Sequence, residues 1–334
     1  MMTILIPVTV VLAATLLVAW FLPATAHVLR RRILLAGMIL VVVLPLLRWA
    51  LETVGLSLEL PVDGPVAEGA TGDGGVVTGA WLGTLWLCGS VVVLLRMMRR
   101  WAGMSALVRD SQPLSGEHDR VLQRLVGASQ DVVRPEIRSC AKVATACVAL
   151  HGWRPVVLLP VDAMRWPGRT LRAVLRHELE HARRGDVRWR LMGELAQAVW
   201  WWHPLVAVLL RRWTEACEHV CDEAVLRSGV RPQSYARSLL ALASSTSAPS
   251  PAHAMAFTGR SPSRLRKRVA SILQEHAPGS ASPTLLGWCA MAALVVVIVM
   301  AATVRFSRQE AEAQSRLRSE AETRLMANPF PGDS

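Results

Sequence analysis

Four apolar runs set the first limit on what this chain of 334 residues can become. Residues 3–22, 33–51, 76–95 and 284–304 are each long enough for one helix to cross a hydrocarbon core, which takes roughly 20 residues for about 30 Å. The pattern therefore predicts four transmembrane helices. No basic residue precedes the first run, which is also longer than the apolar core of a signal peptide, so it reads as a retained span although "LPATAHV" offers a small-x-small cleavage site. Basic residues then orient the spans. "RRR" at 30–32 follows the first run, "RMMRR" at 96–100 follows the third, and residues 52–75 contain neither Lys nor Arg. This distribution predicts an outside amino terminus, with three spans and a short external loop at 52–75 within residues 1–95. A cytoplasmic region then covers 96–283, the fourth span 284–304, and an external tail 305–334.

The formal net charge is +12, from 37 Lys and Arg against 25 Asp and Glu, and only Lys142 and Lys267 are lysines. The arginine clusters flank apolar runs and form neither an aromatic-interleaved groove nor a zinc-finger spacing. Membrane lipids are thus their expected partners, and direct nucleic-acid binding is not expected. Cys88, Cys140, Cys147, Cys217, Cys221 and Cys289 make no paired framework, which argues against a disulfide scaffold.

Within 96–283, "VATACVAL", "HGWRP" and "VVLLP" read as a β-hairpin, two apolar runs joined by a turn containing Gly152. A helix is expected to start near Pro167, to carry Leu171, Val174, Leu175 and Leu179 on one face, and to stop at Gly185; Asp186 is placed to cap the next helix. The run 194–210, "ELAQAVWWWHPLVAVLL", is interrupted by Pro204 and reads as a bent segment embedded at the inner face, with Trp200, Trp201 and Trp202 at interfacial depth. Residues 244–254 read as a linker, and 261–274 as a basic amphipathic helix near the inner surface.

The chemistry gathers around "RHELEHARRGD", residues 176–186. His177 and His181 are four apart, so both imidazoles leave one helix face and can share a metal ion, while Glu178 between them can act on water bound beside it. The competing reading is a solvated charged helix, in which Glu180 simply pairs with Arg183 and Arg184. A catalytic zinc takes a third protein ligand. "EACEHVCDEAVL", residues 215–226, places Glu218 and Asp222 four apart, so one carboxylate can ligate while the other holds the far nitrogen of a ligand histidine. Cys217 and Cys221 are rivals, but a His2Cys2 set would close the site and leave Glu178 without a task, so Glu218 is favoured. A shared metal also requires the run 194–210 not to carry Glu218 across a membrane.

"HELEHARRGD", "WWWHPLV" and "EHVCDEAVL", with "HGWRPVVLLP" before them and "SRLRKRVASIL" after, occur in this order between about residues 140 and 275. The series resembles the BlaR/MecR-type integral-membrane zinc peptidases. That resemblance implies a mainly α integral-membrane protein of a bacterial inner membrane. Its peptidase domain would be cytoplasmic, α+β and gluzincin-like, set between the third and fourth transmembrane helices. It implies Zn2+ held by His177, His181 and Glu218, with Glu178 as catalytic base and Asp222 as the partner of a ligand histidine. The implied substrate is a cytoplasmic regulatory protein, a winged-helix repressor for example, cleaved when an external signal arrives.

Two features remain open at this level. Neither SxxK nor KTG follows the last apolar run, so the penicillin-binding sensor domain of the best-known receptors is expected to be absent, and a signal would enter through the 52–75 loop, the tail, the membrane or a partner. His203, His219, Tyr235 and Arg184 are unranked as donors to a reaction oxyanion. Two other classes compete: a non-proteolytic signalling scaffold, which would predict a degraded motif, and a membrane quality-control zinc peptidase, against which "WHP" and "CDEAVL" argue. The hairpin offers an edge strand that could align an extended substrate by main-chain hydrogen bonds.

Overall fold

The computed structural model describes residues 2–23, 25–53, 74–114, 135–245 and 262–274. Helices α1 (Met2–Phe21), α2 (His27–Thr53) and α3 (Gly74–Asp110) come first. A small sheet follows, of β1 (Gln112–Pro113), β2 (Glu136–Ser139), β3 (Cys147–His151) and β4 (Arg154–Leu159). A 3-10 turn at Val161–Arg165 leads into α4 (Gly168–Arg184), α5 (Asp186–Val199), α6 (Pro204–Arg227), α7 (Pro232–Ser245) and α8 (Pro262–Gln274).

The expected hairpin is β3–β4, with Gly152 at φ +60° in the two-residue turn. The sheet order is β1-β2-β4-β3, with β2 parallel to β4 and the other pairs antiparallel, which leaves β3 on an edge. Strand side chains alternate between faces. Val148, Leu150, Val157 and Leu159 pack with Leu171, Val174 and Leu175 of α4. Cys147, Ala149, Val156 and Leu158 turn the other way and pack with Met104, Leu107 and Val108 at the end of α3. Burial on both faces explains why these strands read as unbroken apolar runs rather than alternating ones.

The apolar amino-terminal helices have an internal use. Val8 and Leu12 of α1, Leu34, Met38 and Val41 of α2, Ala196 and Trp200 at the end of α5, and Val206, Leu209 and Trp213 of α6 form one core. Fully burying a side chain such as Leu209 contributes about 1.5–3 kcal/mol. Gly193 makes the close crossing possible, since a Cβ there would lie 2.5 Å from Leu210 Cδ1 and 2.6 Å from Met38 Sδ.

The expected four-span architecture is corrected by this arrangement. Among the described residues no helix is long and apolar enough to cross a membrane. The apolar faces of α1 and α2 instead supply a core shared with α5 and α6. Two of the three arginines read as a membrane edge are structural. Arg30 donates to the carbonyls of Ala19, Leu22 and Pro23, capping the end of α1, and Arg31 is buried against Asp186. The orientation inferred from those charges loses its basis with the spans. The run 284–304, the tail 305–334 and residues 54–73 of the external loop lie outside the described residues.

Three local expectations also change. The run 194–210 is not one bent segment: α5 ends at Val199, Trp200 is buried in the core above, and Pro204 opens α6 as its first residue, where a missing N–H costs nothing. The helix expected over 261–274 is present as α8, with Arg266 and Lys267 on an exposed basic face, but its apolar face packs into the protein's own core. Ile272 of α8 is buried with Val225, Tyr235 and Leu239, and Arg268 is buried too. Asp186 does not cap α5 from outside but begins it, and its side chain turns back toward α4.

Candidate metal centre

α4 begins after Pro167 and ends where Gly185, at φ +64°, adopts the left-handed conformation that glycine takes without strain. Its apolar positions face the sheet, so the HExxH turn is held rigidly beneath β3. His177 and Glu178 are buried, and His181 is nearly so. The two imidazoles point Nε2 at Nε2, 3.2 Å apart.

Each far nitrogen has a carboxylate partner. His181 Nδ1 lies 2.8 Å from Asp186 Oδ2, and His177 Nδ1 lies 3.2 Å from Asp222 Oδ1 and 3.0 Å from the Tyr235 hydroxyl. Tyr235 in turn donates to Asp222 Oδ1 at 2.7 Å. An ionised carboxylate accepts a hydrogen bond from an N–H, so these partners favour the tautomer with the proton on Nδ1, which turns Nε2 into the metal-binding nitrogen. Burial works against charge on Asp186, but the His181 hydrogen bond and the nearby Arg184 and Arg31 outweigh it and hold its carboxyl at about 2. At Asp222 the burial effect is likewise overcome, first by Arg268 and then by His177, so its carboxyl also titrates below its ordinary range.

α6 brings the second half of the site. Glu218 Oε2 lies 3.5 Å from His177 Nε2, and Glu218 Oε1 lies 3.6 Å from His181 Nε2. Burial raises the Glu218 carboxyl, yet Arg268 and the two histidines hold it ionised, at about 2. Cys221 is one helical turn further on. Its Sγ clusters with ligand atoms of His177 and His181 within 4.8 Å of one another, and it accepts a hydrogen bond from Arg184. Burial pushes that thiol well above its usual range, so it is a neutral thiol and not a thiolate.

These donors fit a divalent cation. Two imidazole nitrogens and an ionised carboxylate converge within 3.2–3.6 Å of one another, a donor set that matches a divalent cation. Glu218 Oε2 is buried without a hydrogen bond, although Arg268 Nη1 is 2.9 Å away as an ion pair, and Glu178 Oε1 is also buried without one. Glu178 touches an open cleft whose lining includes Val148 of the edge strand, His181, Cys217 and Glu218. Burial and then the negative Glu218 push its carboxyl up, against the pull of His181 and Arg268, to about 7.

The residues proposed from sequence as base, ligands and histidine partner thus lie in one cluster. None of the four oxyanion candidates lines the cleft beside Glu178. Tyr235 is committed to His177 and Asp222, His219 stacks on His27 with ring centroids 4.9 Å apart, and Arg184 faces Cys221 and Asp186. His203 contacts Thr9 Oγ1 at the far end of α6. Sequence reasoning missed Arg268 and the role of Asp186. The signal for Asp186 was present: a left-handed glycine reverses the chain after His181 and returns the next residue toward it. Arg268 is one of several arginines in "SRLRKRVASIL", and nothing local marks it as the buried one.

A family model described as BlaR1 peptidase M56 matches residues 65–272, which include the whole histidine and carboxylate cluster. "Regulatory protein BlaR1" of Bacillus licheniformis is 35% identical over 75 residues, 22% of this chain and 12% of that protein's own length. With the family model covering well over half of the chain, from within the 54–73 segment to α8, the chain belongs to the BlaR1 peptidase M56 family.

Proposed function

We propose that the chain is a zinc-dependent endopeptidase that cuts a cytoplasmic regulatory protein, a winged-helix repressor being the kind of substrate that its family resemblance suggests. The observation that carries this reading is the convergence of His177 Nε2, His181 Nε2 and Glu218 beside Glu178 in an open cleft. In this reading His177, His181 and Glu218 hold Zn2+, and Asp222 and Asp186 orient the histidines through Nδ1. Glu218 is preferred to Cys221 because its carboxylate is already ionised, whereas the buried thiol must first lose a proton. Bound there, zinc would supply Lewis-acid polarisation of the scissile carbonyl and activation of water.

The chain's own residues do the rest. Glu178, with a carboxyl near 7, is poised to take a proton from the attacking water and return it to the leaving amine at neutral pH. β3 is an edge strand whose Val148 lines the cleft, which suits an extended substrate paired by main-chain hydrogen bonds. Outward-facing Trp20, Phe21 and Leu46 on α1 and α2 and Trp81 on α3 support association with a membrane surface.

Co-expression with candidate repressors tests the activity. Wild type is expected to yield cleavage products and Glu178→Gln none; products that survive Glu178→Gln would overturn the mechanism and favour a contaminating protease. Metal content tests the ligand choice. Glu218→Gln is expected to lose zinc and Cys221→Ser to keep it, and the opposite pattern would transfer the third position to sulfur.

A further inference from the structure

We propose a second binding site: the arginine-lined depression between α4 and α7 takes a soluble, phosphate-rich anion. The depression is open to solvent and runs from Gly168–Ala173 at the start of α4 to Ser234–Ala241 of α7, with the Ser228–Arg231 turn at one end. It shares no lining residue with the cleft beside Glu178. Arg169, Arg172, Arg231 and Arg237 line it, and no carboxylate does. None of the four has an ion-pair partner among the described residues. Arg165, Arg183, Arg211 and Arg227, by contrast, each face a carboxylate.

Four guanidinium groups with no carboxylate partner among the described residues line one depression, and an anion placed among them would be attracted by all four. Guanidinium matches phosphate oxygens in paired, planar hydrogen bonds. The hydroxyls of Thr170, Ser234 and Ser238 add neutral donors, with Thr170 Oγ1 and Ser238 Oγ 3.0 Å apart across the α4–α7 seam. No aromatic ring lines the depression, so a nucleobase would find nothing to stack on and recognition is of the phosphates themselves.

The same chemistry could come from a lipid headgroup, but position favours a soluble source. Trp20, Phe21, Leu46 and Trp81, the outward side chains assigned above to a membrane surface, lie on α1 to α3, and α6 meets α1 and α2 through Val206, Leu209 and Trp213. Ser228 is at the other end of α6, about 33 Å beyond Val206 at 1.5 Å per helical residue. Occupancy would also brace the metal centre from behind. Ser234 lines the depression, and its neighbour Tyr235 is the residue that holds His177.

Titration calorimetry of the full-length protein with tripolyphosphate tests the site without reference to peptidase activity, so neither reading stands or falls with the other. Binding is expected to weaken by roughly tenfold or more in Arg169→Gln/Arg172→Gln and in Arg231→Gln/Arg237→Gln, and to stay unchanged in Arg211→Gln/Arg212→Gln. All four arginines are exposed, so the variants are expected to keep the wild-type circular dichroism spectrum. Tripolyphosphate is also expected to raise the melting midpoint of wild type but not of the two depression variants. Equal weakening in all three variants would mean diffuse charge attraction and overturn the proposal, as would the absence of binding at about 0.15 M salt. Two competing probes complete the test. Anionic phospholipid vesicles or a single-stranded oligonucleotide that bind through these arginines where tripolyphosphate does not would replace the soluble anion with a headgroup or a nucleic acid.

Discussion

Arg268 lays Nη2 2.6 Å from Asp222 Oδ1 and Nε 2.9 Å from Asp222 Oδ2, while its Nη1 reaches Glu218 at 2.9 Å. One buried guanidinium therefore neutralises both the carboxylate that holds His177 and the carboxylate proposed as a metal ligand. It does so from α8, tying that helix to α6. Removing one partner of a buried ion pair leaves the other charge uncompensated, at a cost of about 3–5 kcal/mol. Arg268→Met is expected to lower unfolding stability by that amount in urea titrations, and Arg268→Lys by less, because a lysine keeps the charge but not the fork. Unchanged stability in Arg268→Met would show that the pair contributes nothing to the fold.

Asp186 joins two parts of the molecule. Its Oδ2 accepts a hydrogen bond from His181 Nδ1 and its Oδ1 meets Arg31 of α2 at 2.5 Å, so the amino-terminal helices help to orient a histidine of the candidate metal centre. Asp186→Asn is expected to weaken zinc affinity by roughly 10–100-fold, the usual effect of losing such a partner. Arg31→Met should act in the same direction through Asp186. Competition with a chromogenic chelator reads both effects, and wild-type affinity in Asp186→Asn would exclude any role for the carboxylate in holding His181.

Gly185 sits at φ +64°, and an added Cβ would meet only Arg188 Cδ at 3.9 Å, so space is not what demands a glycine here. The backbone conformation is. Gly185→Ala is expected to cost about 1–2 kcal/mol from the left-handed conformation alone. It should also weaken zinc binding, because the turn is what returns Asp186 to His181. A loss of stability with zinc affinity intact would mean that the turn tolerates the strain without moving Asp186.

How much of this could be read beforehand depended on the range of the interactions. The α4 helix and its two histidines were legible because helical period, a proline start and a glycine stop are local signals, and so was the β3–β4 hairpin. Glu218 and Asp222 were legible as a pair because both lie on one helix at the same spacing. What failed was the reading of apolar length. A run such as 3–22 is equally apolar whether its partner is lipid or another helix, and Val8 and Leu12 face Trp213 and Leu209 through contacts about 200 residues distant in sequence. Arg30 and Arg31 misled for the same reason, since charge beside an apolar run does not reveal that one caps a helix and the other reaches Asp186. Arg268 was hidden because its buried state depends on α8 docking against α6 and α7, which nothing within "SRLRKRVASIL" encodes.

Glu178 makes the metal-free protein sensitive to pH in a direction opposite to its neighbours. Its carboxyl titrates at about 7 in the folded chain against an ordinary value of 4.5, because burial and the charge of Glu218 disfavour ionisation. Between those two values the folded state keeps a proton that the unfolded state has lost. The stability linked to this group is therefore full below 4.5 and falls as pH rises through 7, by about 3 kcal/mol in all. Asp186 and Glu218, held at about 2, contribute above their ordinary values and lose that contribution only as pH falls toward 2, so they do not interfere at neutral pH. In the presence of a chelator, wild type is expected to lose most of that stability between pH 5 and pH 8 relative to Glu178→Gln, whose neutral amide has no proton to give up. The variant should be the more stable protein at pH 8, and urea titrations giving parallel pH profiles for the two would mean that Glu178 ionises without penalty.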